Sequence, residues 1–106
     1  MVILAQGHKY GLENFEMDAK NTGGFQQLQF IEKGSPDPDG KLNLITAGTT
    51  NEEVLRVLID RFQYLNNQIP CRENAIVITK LEECLMWVEK RTQDRKNRGV
   101  LQTQSK

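Results

Sequence analysis

Residues 72–98 carry one stripe of side chains at helical spacing, and the stripe begins apolar and ends as arginine. Its members are Val77, Leu81, Cys84 and Val88, followed by Arg91, Arg95 and Arg98. Steps of three and four residues place side chains on one side of a helix. A helix that buries the apolar end of this stripe carries its guanidinium groups into the same groove, where an unpaired charge is strongly unfavourable. The pattern therefore predicts a long amphipathic helix, and it points to an anion beside the arginines.

Two interpretations of the arginines are open from the pattern alone. Guanidinium is planar, forked and permanently charged, which suits phosphate oxygens, so a phosphorylated small molecule is the natural ligand. Arginines near a helix C-terminus also complement the helix dipole, and Glu89 and Asp94 could hold them in surface ion pairs. The pattern slightly favours this structural interpretation over the ligand interpretation.

The chain is short and neutral overall, but its charge is unevenly distributed. With 106 residues and 38% hydrophobic content, we expect one small domain that buries a modest share of its surface, so that oligomerisation would add stability. From Lys90 onward, six basic residues face Asp94 as the single acid. A local basic end on a neutral protein fits a small anionic ligand better than polymeric nucleic acid, which usually needs a basic domain.

Other function classes lack the residues that they require. Cys71 and Cys84 form no CxxC pair and His8 is the only histidine, so neither a metal site nor a redox motif is expected. Cys84 is expected to act as a small hydrophobic residue of the stripe. The sequence has no phosphate-binding glycine loop and no nucleophile-plus-base motif, so we expect no enzyme activity and no cofactor. It also shows no signal peptide or membrane span, which predicts a cytoplasmic protein without membrane contact.

The first half of the chain is predicted to form strands. Residues 25–33 and 41–47 alternate between apolar and polar side chains, and turn-forming residues separate them at 35–40. Period-two segments around such a turn predict a β-hairpin. Residues 8–15 are a candidate third strand with Tyr10 and Leu12 on one face, and residues 21–24 would then form its loop.

The second half is predicted to form two helices that are joined at Pro70. Segment 49–53 places threonines three residues ahead of glutamates, as an N-cap requires, and this helix should run to about Asn67. Its predicted apolar stripe is Leu55, Leu58, Phe62, Leu65 and Ile69. Because proline cannot continue a helix interior, a second helix should begin near Arg72 and end at Gly99, where a left-handed cap is expected.

These elements predict an α+β fold, with a small N-terminal antiparallel β-sheet followed by a long C-terminal αα-hairpin. The expected organisation is a single domain over residues 1–106, with a β half at 1–47, a helical hairpin at 48–99 and a flexible tail at 100–106. Two helices cannot enclose a core by themselves, and Ile76, Met86 and Trp87 lie off the main stripe. A second apolar face predicts a homo-oligomer with a ligand site at a subunit junction.

Two residues near the helical turn could complete a nucleotide site. Tyr64 offers a flat face on which a purine could stack, an interaction of roughly 1 to 3 kcal/mol per base. Asn74 could contact a base or ribose edge through its amide. Equally, Tyr64 could be a half-buried packing residue and Asn74 a residue of the first helical turn. The residues alone favour these alternatives about equally.

The helical half resembles a known family of phage proteins. The resemblance is carried by residues 48–55, 58–61, 65–66, 70–74, 81–83, 87 and 91–100. These segments are similar to the hairpin domain shared by phage anti-Thoeris and anti-CBASS sponge proteins, and the full chain with its β half resembles the anti-Thoeris branch more closely. The similarity spans about residues 48–103, and the Arg-Thr-x-Asp-Arg-x-x-Arg-Gly-Val segment at 91–100 is its most distinctive part.

The resemblance implies a stoichiometric sponge that acts in the cytoplasm of the bacterial host. Proteins of that family sequester cyclic nucleotide-like immune signals without cleaving them, which implies here a cyclic ADP-ribose isomer made from NAD by a TIR-domain protein. Related members also capture cyclic di- or trinucleotides at a separate pocket of a hexamer, so that alternative extends to this chain as a dimer or hexamer. Carried over by motif, Arg91 and Arg95 would bind phosphates, Arg91 would also stack on adenine opposite Tyr64, and Asn74 would complete the polar contacts.

Overall fold

Five strands precede two helices along the chain. The computed structural model describes residues 1–16 and 24–99. The strands are β1 (Val2–Ala5), β2 (Lys9–Glu13), β3 (Phe25–Gln29), β4 (Glu32–Pro36) and β5 (Leu42–Thr46), and the helices are α1 (Asn51–Gln68) and α2 (Arg72–Asn97). The predicted α+β fold is therefore confirmed. The predicted loop at 21–24 and the predicted tail at 100–106 lie almost entirely outside the described residues.

The strands form two antiparallel sheets. β2 is the centre of a three-stranded sheet in the order β1-β2-β3, in which Tyr10 lies opposite Ile3 on one side and Leu28 on the other. β4 and β5 form a separate two-stranded sheet. The predicted third strand at 8–15 is confirmed as β2. β1 is not predicted from the sequence, because its continuous apolar run lacks the period-two alternation of a half-buried strand.

The prediction of one continuous strand over residues 25–33 is wrong, because the chain changes partners after Phe30. The Ile31 amide donates to the Thr49 carbonyl oxygen at 2.9 Å, and the Thr49 amide donates to the Gln29 carbonyl oxygen at 2.9 Å. This exchange divides the segment in two. Its first part becomes β3 and pairs with β2, whereas its second part belongs to β4 and pairs with β5.

Gly48 allows the two halves of the chain to meet at this point. A Cβ atom at position 48 would lie 2.5 Å from the Phe30 carbonyl carbon and 2.6 Å from the Gln29 carbonyl oxygen. These are backbone atoms, which cannot move aside as the end of a flexible side chain can. The close approach therefore requires glycine, and it holds the β half against the start of α1.

The helices begin and end at the predicted signals. Thr50 is the N-cap of α1, where its hydroxyl accepts a hydrogen bond from the Glu53 amide at 3.2 Å. Cys71 is the N-cap of α2, where its Sγ accepts from the Asn74 amide at 3.4 Å. Gly99 adopts a φ of 72°, which confirms the predicted left-handed position after α2. Neither of the two described helices combines the length and apolar character that crossing a bilayer requires.

The helices pack along stripes that differ in part from the predicted ones. The half-buried apolar positions include, on α1, Leu55, Ile59, Phe62 and Leu65 and, on α2, Val77, Leu81, Leu85 and Val88. Three residues of the predicted stripes are exposed instead, namely Leu58, Ile69 and Cys84. The predicted stripes advance by about 3.5 residues per turn and a straight helix turns every 3.6, so such a stripe drifts off the contact face. An ion pair of 3.0 Å between Arg56 and Glu89 also joins the two helices.

The described part of a single copy encloses no hydrophobic core. No hydrophobic side chain there is fully buried, and the exposed ones include Leu58, Ile76 and Trp87 on the helices and Ile69 just after α1. The molecule measures 51 × 34 × 15 Å and has a radius of gyration of 17.5 Å, against about 13 Å for a compact chain of this length. So flat a molecule leaves apolar surface for another polypeptide to cover.

Candidate functional site

A cleft of about 810 Å³ lies where the β half meets the start of α1 and the last turns of α2. Pockets for small molecules typically measure roughly 300 to 1,000 Å³. One side of the cleft is formed by β-half residues that include Tyr10, Phe30 and Lys33, and another by Arg91 and Arg95 of α2. The cleft therefore combines apolar rings with cations, which is the composition that a nucleotide requires.

Arg91 and Arg95 lie one turn apart on α2. Side chains at positions i and i+4 of a helix are neighbours on its surface, and Thr92 lies between these two and also lines the cleft. Arg91 is exposed, whereas Arg95 is half-buried. Two guanidinium forks on adjacent turns can bind oxygens of one phosphate or of two linked phosphates.

Two acids of the same helical turns, Glu89 and Asp94, are paired with cations other than Arg91. Oε1 of Glu89 lies 3.0 Å from Nη2 of Arg56, and Oδ2 of Asp94 lies 2.9 Å from Nζ of Lys90. None of the ion pairs within the described residues includes Arg91. An anion in the cleft would supply the countercharge that Glu89 and Asp94 do not give to Arg91.

Arg98 lies outside the cleft, although the sequence places it on the same stripe as Arg91 and Arg95. It is exposed, and its Nε donates to the Asp94 carbonyl oxygen at 3.4 Å. Such a bond is the structural role expected of an arginine at a helix C-terminus. The three arginines of the stripe thus divide into two that line the cleft and one at the end of the helix.

The sheet side of the cleft carries an aromatic pair and further polar groups. The rings of Tyr10 and Phe30 meet edge to face, with centroids 6.0 Å apart and planes at 86°. His8 also lines the cleft, and its Nε2 lies 3.7 Å from Oε1 of Glu32. The aromatic pair offers an apolar surface for a base or sugar. No site residue is predicted here from the sequence, because aromatic residues in a β segment favour a packed face as readily as a ligand surface.

The start of α1 opens onto the same cleft, through residues 50–52. The first amides of a helix lack partners within the helix and carry partial positive charge. The Glu52 carboxylate opposes this effect. Among the described side chains that line the cleft, the cations Lys33, Arg91 and Arg95 exceed the single acid, Glu52.

Tyr64 and Asn74, the other predicted site residues, lie at the opposite end of the hairpin. Asn74 precedes Arg91 by 17 residues on α2, which corresponds to about 25 Å along the helix axis. Tyr64 is 57% exposed, and its hydroxyl accepts from Nε2 of Gln68 at 2.9 Å. Asn74 is half-buried in the first turn of α2. A single chain therefore brings the two arginines together, but it does not bring Tyr64 and Asn74 to them.

A second groove, of about 480 Å³, runs between α1 and α2. Its apolar residues include Leu85 and Met86. Its charged side chains are one arginine and three acids, Arg56, Asp60, Glu82 and Glu89. An excess of carboxylates repels phosphate, so this groove suits an anionic ligand less well than the cleft does.

Two similarities to known proteins bear on the cleft. The sequence model of the family described as "Acb2/Tad1, hairpin domain" matches residues 19–93, a range that extends into the β half, contains Tyr64, Asn74 and Arg91, and ends before Arg95. Over 60 residues the chain is 52% identical to Thoeris anti-defense 1 of Bacillus phage SBSphiJ7, a stretch that covers 56% of this chain. It covers 42% of the relative, so the chain matches less than half of that protein's length. Because the family model covers more than half of its residues, the chain belongs to the Acb2/Tad1 hairpin-domain family.

Proposed function

We propose that this protein is a phage anti-defence sponge, which binds a cyclic ADP-ribose-type immune signal in the cytoplasm of the infected bacterium without cleaving it and so blocks Thoeris signalling. The observation that carries the proposal is the cleft, which Arg91 and Arg95 line from adjacent turns of α2 and in which Arg91 belongs to no ion pair of the described residues. The family, and the identity to a phage protein named for anti-defence against Thoeris, supply the biological setting.

The chemistry of the ligand matches the charges of the cleft. A cyclic ADP-ribose isomer carries a pyrophosphate and an adenine, and Arg91 and Arg95 would bind the phosphate oxygens through paired N–H groups. A sponge must compete with the host's own receptor for a scarce signal. That competition requires roughly nanomolar binding, about 12 kcal/mol, with slow release. Tight binding is sufficient to sequester the signal, so the proposed function needs no catalytic group.

Tyr64 and Asn74 would join the site through a second copy of the chain. A ligand with one adenine and two riboses is far shorter than the distance between Asn74 and Arg91 along α2. An antiparallel pair of hairpins would place the turn of one beside the arginines of the other, and two-fold symmetry would generate this site twice. Arg91 would then stack on adenine opposite Tyr64, with Asn74 completing the polar contacts.

The exposed apolar side chains of the helices support such an assembly. Trp87 is 58% exposed and lies one turn before Arg91 on α2. Ile76 of the same helix and Ile69 beside the turn are also exposed. Covering these side chains with a second hairpin would remove apolar surface from water, which stabilises association by about 25 cal/mol per Å². We propose a homo-oligomer, either a dimer or a hexamer, with ligand sites at its subunit junctions.

The association can be followed through Trp87, the only tryptophan of the chain. At micromolar concentration, light scattering should give a multiple of the 12.2 kDa chain mass. The tryptophan emission should lie at shorter wavelength than that of exposed indole and should shift to longer wavelength on dilution. Trp87→Phe should remove the signal and keep the assembly. A monomeric mass together with the emission of exposed indole would contradict the shared site.

Calorimetric titration with a cyclic ADP-ribose isomer made by a TIR-domain enzyme tests the function itself. We expect nanomolar binding, and recovery of the intact ligand after heat denaturation and chromatography. A converted product would make the protein an enzyme. Uptake of cyclic di- or trinucleotides in place of the isomer would assign it the ligands of anti-CBASS sponges. Binding to long nucleic acids with steep salt dependence would indicate a nucleic-acid-binding hairpin instead.

A further inference from the structure

We propose that Lys33 of β4 is a third anion-binding residue of the cleft, so that the site selects ligands with two phosphate groups over ligands with one. The inference rests on the proposed function, because it takes the cleft to be the place where the signal binds. The sequence motif that points to Arg91 and Arg95 includes no residue of the β half. The assignment of Lys33 therefore depends on the position of β4 beside the cleft.

An irregularity in the pairing of β4 with β5 accompanies the position of Lys33 on the cleft. Glu32 lies opposite Thr46, but the next residue, Lys33, lies opposite Leu44. Two steps along β5 thus correspond to one step along β4, which is the form of a β-bulge. The extra residue at this point, Ile45, lies on β5, and a second irregularity on the β4 side follows between Lys33 and Pro36. The pairing is therefore irregular on both sides of Lys33, and such irregularities re-aim side chains relative to a regular strand. Lys33 is half-buried here and lines the same cleft as the two arginines.

Among the residues that the structure describes, no carboxylate pairs with the Lys33 ammonium group. Glu32 lies 3.7 Å from His8 and accepts a hydrogen bond from the Thr46 hydroxyl at 3.5 Å. In the described part of the chain, neither Lys33 nor Glu52 takes part in an ion pair. Partial burial of a cation is unfavourable unless an anion pairs with it, and a ligand phosphate could supply that anion to Lys33.

The three cations reach the cleft from two different elements. Arg91 and Arg95 come from α2, and Lys33 comes from the sheet. One phosphate can be held by the arginines alone, whereas a pyrophosphate presents oxygens in two directions and can contact both elements at once. Lysine is a compact charge on a flexible stem, so it can follow the second phosphate while the arginine forks hold the first. This division of roles predicts selectivity for diphosphates.

Calorimetry and thermal unfolding with three probes test the assignment: a cyclic ADP-ribose isomer, inorganic pyrophosphate and inorganic orthophosphate. Lys33→Met retains the apolar stem and removes the charge. It should bind the isomer roughly tenfold more weakly than the wild type, the loss of one charge-assisted contact, and should lose most of the preference for pyrophosphate over orthophosphate. Lys33→Arg should restore both. The matched control is Lys41→Met, at an exposed position near the turn of the same β-hairpin and outside the cleft, which should behave as the wild type.

The outcomes separate this inference from the sponge function. Equal affinity of the wild type and Lys33→Met for the isomer would overturn the role of Lys33 and leave the sponge intact, and so would equal losses in Lys33→Met and Lys41→Met. A wild type that ignores the isomer but is stabilised by pyrophosphate, with the effect lost in Lys33→Met, would reject the sponge and support the three-cation cleft. A wild type that binds none of the probes would overturn both.

Discussion

Replacing Arg95 with alanine should lower the affinity for a cyclic ADP-ribose isomer by about 100-fold, within the range for truncating one partner of a desolvated charge pair. Arg95 is half-buried, lines the cleft and lies on the last turns of α2. Alanine is the best helix former, so the substitution removes the guanidinium without weakening the helix. Calorimetry should show the loss of affinity, while circular dichroism and light scattering should show unchanged helicity and assembly.

Arg98→Ala is the matched control for this experiment. It removes the same charge from the same end of the helix, but Arg98 lies outside the cleft and contacts the Asp94 carbonyl oxygen. The affinity of Arg98→Ala for the isomer should stay within about twofold of the wild type, because an exposed charge contributes little to binding when it does not contact the ligand. If both variants lost the same affinity, the cause would be the lower net charge of the protein and not a contact in the cleft. If Arg95→Ala bound the isomer with wild-type affinity, the cleft lined by the arginines would not be the binding site.

Mixing two inactive variants should restore binding if each site is shared between two copies. One variant is Arg95→Ala, and the other combines Tyr64→Ala with Asn74→Ala. A mixed pair contains two different sites. One site takes Arg95 from the double variant and Tyr64 and Asn74 from the Arg95→Ala chain, so it is complete. The other site carries all three substitutions. With random exchange between equal amounts, about half of the pairs are mixed, so about a quarter of the sites should recover wild-type affinity. The stoichiometry of the tight phase in calorimetry, after joint unfolding and refolding, measures this fraction.

A mixture of Arg91→Ala with Arg95→Ala is the control for complementation. Both substitutions lie at the same end of the hairpin, so every site in the mixture inherits one of them and no complete site can form. We therefore expect no tight phase. If the first mixture forms mixed assemblies but shows no tight phase either, the site is not shared between two copies. A Tyr64→Ala/Asn74→Ala variant that binds with wild-type affinity by itself would show that the cleft of a single chain binds the ligand without these residues.

The features that the sequence predicts correctly depend on chemistry within a few residues. The cap at Thr50 requires a hydroxyl and an amide three residues apart, and the end of α2 requires a glycine that tolerates positive φ at position 99. The placement of Arg91 and Arg95 on neighbouring turns of one helix likewise follows from their spacing. Such local signals have the same structural effect whatever fold the rest of the chain adopts.

The features that the sequence does not predict depend on contacts between distant residues. The division of segment 25–33 results from hydrogen bonds with Thr49, and nothing in the alternation of that segment encodes its partner. The contribution of Lys33 and Tyr10 to the cleft depends on the same junction. The separation of Asn74 from the arginines is different in kind, because it could be read from their spacing once a single helix was predicted. The family motif instead groups these residues as though they were close together.

The missing side chain at position 48 has a consequence for ligand choice. The backbone of Gly48 contacts the backbone of Gln29 and Phe30 directly. No side chain separates the two segments at this point, so the two sides of the cleft lie as close together as the backbones allow. Any methyl group there would push the aromatic side away from the arginine side and widen the cleft. If the cleft binds a cyclic ADP-ribose isomer as proposed, a residue that does not itself line it thus controls a dimension that could distinguish one ring isomer from another. Two chains with identical arginines could therefore prefer different isomers if they differed only at this junction.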